Sequence, residues 1–139
     1  MKQTLTGFSL LICMHITAHT AIIISPPDLN PGDNYRLIFI TDGSTNATSS
    51  DVATYNSFVA AEAAAITALN DLGTTWTAIA STATVDARDN TGTNPSSTGV
   101  AIYRLDGTRI ADDNADFWDQ EIEANINISP TMTTIGSNV

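Results

Sequence analysis

Asp112, Asn114, Asp116 and Glu123 stand at positions one, three, five and twelve of the stretch DDNADFWDQEIE. That is the oxygen-ligand spacing of a calcium loop. Hard divalent cations take six to eight oxygens, so carboxylates and an amide at these intervals have the right chemistry. Phe117 stands where such a loop uses Gly for its sharp turn. The competing reading is a solvated acidic loop with Phe117 and Trp118 packed inward. A second group, Asp86-Ala87-Arg88-Asp89, offers carboxylates for a cation or a sugar hydroxyl. The reading favoured here is structural: the planar guanidinium of Arg88 pairs with Asp86, Asp89 or a helix-end carbonyl and pins its loop. Trp76 and Trp118 have faces suited to stacking on sugar rings, and Trp76 reads as a core residue. Carboxylates are plentiful enough to build a glycosidase pair, yet no spacing selects one.

Other chemistries depend on the first residues. MKQTLTGFSLLICMHITAHTA has one Lys, an apolar run from Leu5 to Ile16 and a small-residue end, the pattern of a secretory signal peptide over residues 1–21. The run is too short and interrupted to span a bilayer. A buried N-terminal strand through Ile22, Ile23 and Ile24 is the competing reading. Lys2, Cys13, His15 and His19 are the chain's only Lys, Cys and His residues, and all lie in this segment. Its removal would leave Arg36, Arg88, Arg104 and Arg109 as the only bases. A mature chain of that kind excludes disulfides, Cys–His and Ser–His–Asp catalysis, Schiff bases and zinc sites of the His/Cys type. Export without disulfides fits a bacterial product. A net charge of −10 argues against nucleic acid or an anionic membrane as partner.

These residues must be positioned by a small set of elements. At 139 residues the chain suits one domain. Residues 22–34, with SPPDLNPG, read as a linker or entry loop. Tyr35 to Thr41 reads as a strand apolar on both faces, hence central in its sheet. Asp51 to Leu72 reads as one helix, capped by Ser49 or Ser50, with Val52, Tyr55, Val59, Ala63, Ile66 and Leu69 at helical spacing and Gly73 as its stop. Thr75 to Ser81 reads as a core strand that leaves the sheet, with Arg88 fastening the exit. Asp106-Gly107 between Val100–Leu105 and Thr108–Ala111 is a hairpin signal in which both turn positions need positive φ. Asp112 to Glu123 is a short helix or an aromatic-anchored loop, and Asn125 to Val139 a polar tail. The resulting expectation is an α+β domain over residues 35–139, one main helix packed on a small mixed or antiparallel sheet.

YRLIFITDGSTNATSSDVATYNSFV, TWTAIASTATVDARDN and IYRLDGTRIADDNADFWD together resemble a group of exported bacterial proteins, many with a PEP-CTERM sorting signal, and domains of Leptospira-type surface proteins. The order of helix, Gly, T-W-x-A-x-x-S and I-Y-x-L-D-G is similar to the endostatin-like branch of the C-type-lectin-like fold. The resemblance implies an extracellular or cell-surface bacterial domain without catalytic residues, for which polysaccharide or cell-surface components are the expected partners. The short, interrupted apolar run leads to the expectation of no membrane span in the mature chain. Endostatin's zinc site uses His, so no zinc carries over; calcium remains the one cofactor the residues allow. Members of the group continue into a Trp-Thr-Gly segment and a sorting tail, so the domain is expected to be incomplete at its C-terminus. The alternatives are a carboxylate-only glycoside hydrolase and a structural fragment of a longer surface protein.

Overall fold

The computed structural model describes residues 23–136. The expected signal peptide, with Lys2, Cys13, His15 and His19, lies outside the described residues. The chain forms a small α+β domain with a three-stranded mixed sheet and a few helices.

Helix α1 spans Val52–Ala64. Its cap is Asp51 itself, whose carboxylate accepts from the Ala53 amide at 2.9 Å. Neither expected serine is the cap: Ser49 Oγ instead accepts from the Asp51 amide at 3.1 Å and so braces it. Asp51 wins because a carboxylate meets both the exposed N–H groups and the helix dipole. The expected single helix is broken at Ile66, which is extended (φ −107°, ψ 112°), and a second turn, α2, follows at Thr67–Asn70. The break lets Ile66 and Leu69 join Ala63 in one apolar cluster with Leu105 and Ile128. Gly73, at φ +58°, ends the segment, its amide bonding Asn70 O.

Strands β1 (Arg36–Ile38), β2 (Ile102–Arg104) and β3 (Arg109–Ala111) lie in that order, β1 parallel to β2 and β2 antiparallel to β3. The strand expected to be central is therefore at the edge. Its two apolar faces answer to two cores rather than two strand neighbours. Leu37 and Phe39 pack on the helix cluster, whereas Ile38 packs with Ile102, Ile110 and Ala111 on the other side. The β2–β3 connection is a hairpin with one positive φ, Gly107 at +81°. The Gly107 amide bonds Arg104 O and the Arg104 amide bonds Thr108 O. This is the pattern of a three-residue loop with a left-handed third residue, not the two-residue turn expected.

Thr75 to Ser81 joins no ladder. Two side-chain amides hold it instead. Asn56 on α1 and Asn90 bond each other reciprocally, Nδ2 to Oδ1, at 2.9 and 2.8 Å. The same pair takes the Ala78 peptide: the Ala78 amide donates to Asn56 Oδ1 (2.9 Å), and Asn90 Nδ2 donates to Ala78 O (2.7 Å). Ala78 is buried, so its peptide groups need these partners.

The entry segment is tied to the body. Ile23 packs on the helix cluster, and the Ile24 amide bonds Leu105 O at 3.0 Å. The expected polar tail is partly core. Ile128, Ser129 and Pro130 are buried, Ile128 bridges Thr134, and the Ile40 amide bonds Ile128 O. No helix among the described residues is long and apolar enough to cross a membrane.

Candidate functional site

Two arrangements carry the chemistry foreseen or missed in the sequence. The first is acidic. Helix α4 (Asn114–Phe117) is capped by Asp113, whose carboxylate accepts from the Ala115 and Asp116 amides. Gln120, in the left-handed region at φ 84°, turns the chain, and the Glu123 amide then bonds Ile110 O at 3.0 Å. One oxygen from each of Asp112, Asp116 and Glu123 comes within 4.8 Å of the others. Three of the four expected ligands therefore converge on a partly solvated face.

Asn114 is the exception. It is buried, and its Nδ2 reaches Ser97 Oγ at 3.1 Å while the side chain packs against Gly99. A Cβ at residue 99 would lie 2.5 Å from Asn114 atoms, so the close approach requires Gly there. The amide is a packing post for the loop around residues 94–99, while Asp112 and Asp113 beside it stay exposed. Asp112 is also engaged by Arg109, and Asp116 Oδ2 accepts from the Asp112 amide at 2.7 Å. The donor set is thus three carboxylates with two of them already bonded, short of the six to eight oxygens of a calcium cage.

The four arginines each tie separate segments together. Arg88 Nε lies 3.3 Å from Asp86 Oδ1, with both side chains about half exposed, and its guanidinium stands 5.5 Å from the Trp118 ring centroid. Asp86 also caps the short helix α3 (Ala87–Asn90), and Asp89 Oδ1 accepts from Asn94. The loop beyond α3 is held from elsewhere: Arg36 on β1 donates to Thr91 O at 3.0 Å and to Gly92 O at 2.9 Å. Arg36, not Arg88, therefore fastens that loop to the sheet. Arg104 forms a bidentate pair with Asp106 (3.1 and 2.6 Å) and donates to Asn125 O and Asn127 Oδ1. Burial pushes the Asp106 carboxyl up, but the Arg104 pair and the Thr108 amide outweigh it and hold its pKa below the ordinary 3.8. Arg109 bridges Asp28 and Asp112 across the face of Tyr103. Asp28 is likewise pushed up by desolvation, yet lowered overall by its hydrogen bonds from Arg109 and Tyr103.

The second arrangement is a groove of about 520 Å³ along the edge of β1 that pairs with no strand among the described residues. Tyr35 to Ile38 line it from β1 and Thr74 to Thr77 with Ile79 form the opposite wall; Val100, Ile102 and Phe117 also line it. Trp76 lines it while meeting Phe39 edge-to-face at 5.0 Å, and it belongs to the rim of the helix cluster. Leu72 and Ile79 on the rim are 44% and 49% exposed. Six lining residues carry hydroxyls: Tyr35, Thr74, Thr75, Thr77, Thr91 and Thr93. None carries a carboxylate, and the one charge is Arg36, whose guanidinium is bonded to carbonyls.

Sequence reasoning read Trp76 as a core residue, whereas it is half-buried and packs against the helix cluster from the groove, and the groove itself was missed. Two signals were present. Asn56 interrupts the apolar side of an Ala-rich helix, and Arg36 interrupts an apolar strand; a polar group in such a place must find a partner. Comparison with protein-family models, curated proteins and solved structures gives no match to this chain.

Proposed function

We propose that this chain is a non-enzymatic, exported recognition domain of a bacterial surface or its extracellular matrix, built on the C-type-lectin-like plan of the endostatin branch. It binds its ligand in the groove beside β1. One observation carries this reading. In a chain with fifteen acidic residues, the groove is lined by hydroxyls, aromatic rings and aliphatic side chains, with no carboxylate among them. Such a lining suits binding by stacking and neutral hydrogen bonds. It holds no carboxylate, imidazole, thiol or amine to act as general acid or base or to activate its hydroxyls. Extracellular polysaccharide and cell-surface proteins are the ligand classes compatible with it. The leader-like first 21 residues and the motif resemblance support export.

A carboxylate-only hydrolase is the second reading. Convergence of Asp112, Asp116 and Glu123 favours it, since retaining glycosidases set two carboxyl groups about 5–5.5 Å apart. The two readings part in one experiment. Exopolysaccharide and surface-protein binding is measured by pull-down for the wild type and Trp76→Ala, with and without calcium, beside a reducing-end assay for the wild type and Asp112→Asn. The binding reading expects ligand retention that Trp76→Ala weakens, with no reducing ends released. Release of reducing ends that Asp112→Asn abolishes would establish the hydrolase instead. N-terminal sequencing of the product from expressing cells tests export: a start at Met1 would refute it.

A further inference from the structure

The groove's partner can be narrowed, on the premise that this groove is the binding face. Along β1, even-numbered residues direct their main-chain groups toward β2: the Arg36 amide bonds Ala101 O, and the parallel register carries the same pattern on to Ile38; beyond β1 the Ile40 amide bonds Ile128 O of the C-terminal segment. Successive residues of a strand face opposite edges, so the amide and carbonyl of Leu37 point away from β2 to the open side. The opposite wall is unpaired as well. Among the described residues, the main chain from Thr74 to Thr77 makes no hydrogen bond until Ala78 enters the Asn56–Asn90 clamp. Two lines of unmatched donors and acceptors thus flank one slot.

The slot also opens on both layers of the core at once. Leu37 and Trp76 belong to the helix-side cluster, whereas Ile38, Ile102 and Phe117 belong to the other. An occupant must therefore present apolar groups alternately up and down, with amides and carbonyls in the plane between them. Its charge is constrained too. The lining lacks carboxylates and its single guanidinium is bonded to Thr91 O and Gly92 O, so no counter-charge awaits a charged guest. A saccharide fits the hydroxyl lining but has neither the alternation nor the amide ladder.

We propose that this groove accepts an uncharged, extended segment of another polypeptide, which adds to the sheet as a strand beside β1 with Val, Ile or Thr side chains on both its faces. Main-chain hydrogen bonds to Leu37 would give it affinity, and the two clusters would select its side chains, as in recognition by strand addition. Tyr35 to Ile38 present about 10 Å of edge at roughly 3.3 Å per residue, so a heptapeptide covers it.

The test uses the full chain and a capped heptapeptide of Thr and Val alone. Binding is followed by NMR shifts of the Trp76 indole and by amide hydrogen exchange at Leu37. A matched peptide scan carries one N-methyl group at each position in turn, and a neutral oligosaccharide, maltohexaose, is the parallel probe. The expected result is at least tenfold slower exchange at Leu37, with binding weakened tenfold or more by N-methylation at every second position only. Equal weakening at all positions, binding without protection of Leu37, or no binding at millimolar peptide overturns the strand. Binding of maltohexaose alone overturns it too, while leaving the groove as the recognition face; silence of the Trp76 indole toward every probe removes both.

Discussion

At the β3 edge, the Glu123 amide donates to Ile110 O and Arg109 clasps Asp28 and Asp112 over Tyr103, while Arg104 at the end of β2 gathers Asp106, Asn125 and Asn127 beside the hairpin. At the β1 edge, Leu37 and the facing Thr74–Thr77 segment find no main-chain partner among the described residues, with Leu72 and Ile79 exposed on the rim. The same three-stranded sheet is thus sealed on one side and open on the other. Exposed strand edges are a hazard that proteins cover, charge or bulge away. Here three of those devices fall on one edge: charged side chains, a loop crossing, and the shift of register between Ile102 and Tyr103 that bends the hairpin. The contrast teaches where a partner can reach the sheet.

The sharpest way to break the contrast is to unseal the closed side. Arg104→Met removes one partner of a mostly buried pair and strands the Asp106 carboxylate; it should lower unfolding free energy by about 3 kcal/mol in urea titration. Exchange at Leu37 should keep its wild-type rate once global unfolding is subtracted. Next, Asn90→Ala removes the clamp on Ala78 and leaves Asn56 and the Ala78 carbonyl short of partners. A loss of about 2 kcal/mol is expected, with faster exchange at the Ala78 amide and no change around Arg104.

Acid acts unevenly on the two sides. Asp28 and Asp106 have folded pKa values below 3.8, so their contribution is present above that value and is lost as pH falls through the lower, folded ones. Acid titration followed by hydrogen exchange should therefore loosen the hairpin and entry segment before the walls of the groove. The smallest effect is expected from Arg88→Ala. Its pair with Asp86 is half exposed and its contact with Trp118 lies at the surface, so less than about 1 kcal/mol should be lost by thermal melting.

What the sequence made legible was local. Asp106-Gly107 announces a hairpin because the turn is settled by neighbours, and the Ala-rich periodicity of α1 marks its apolar face. Asp112 and Asp116 converge because the chain turns into α4 at the Asp113 cap between them, where Asp116 accepts from the Asp112 amide. Less visible was whatever depends on distant partners. Thr75 to Ser81 has residues that favour extension, but propensity cannot say whether a neighbouring strand lies alongside. Arg36 finds its carbonyls 55 and 56 residues away, so its role could not be read from YRLIFIT. Two-sided apolarity in β1 was read as a central position because pattern reports layers above and below, not neighbours in the plane. Glu123 joins the acidic trio only through the turn at Gln120, which no Gly announces.

The clamp built from Asn56, Asn90 and the Ala78 peptide contains no formal charge. Ions in the medium have nothing there to screen, and protons nothing to titrate near neutrality. Concentrated salt that slackens the arginine clasps would thus leave the hold on the Ala78 peptide standing, so the segment from Thr75 to Ser81 keeps its anchor in brine while the clasps of Arg104 and Arg109 loosen.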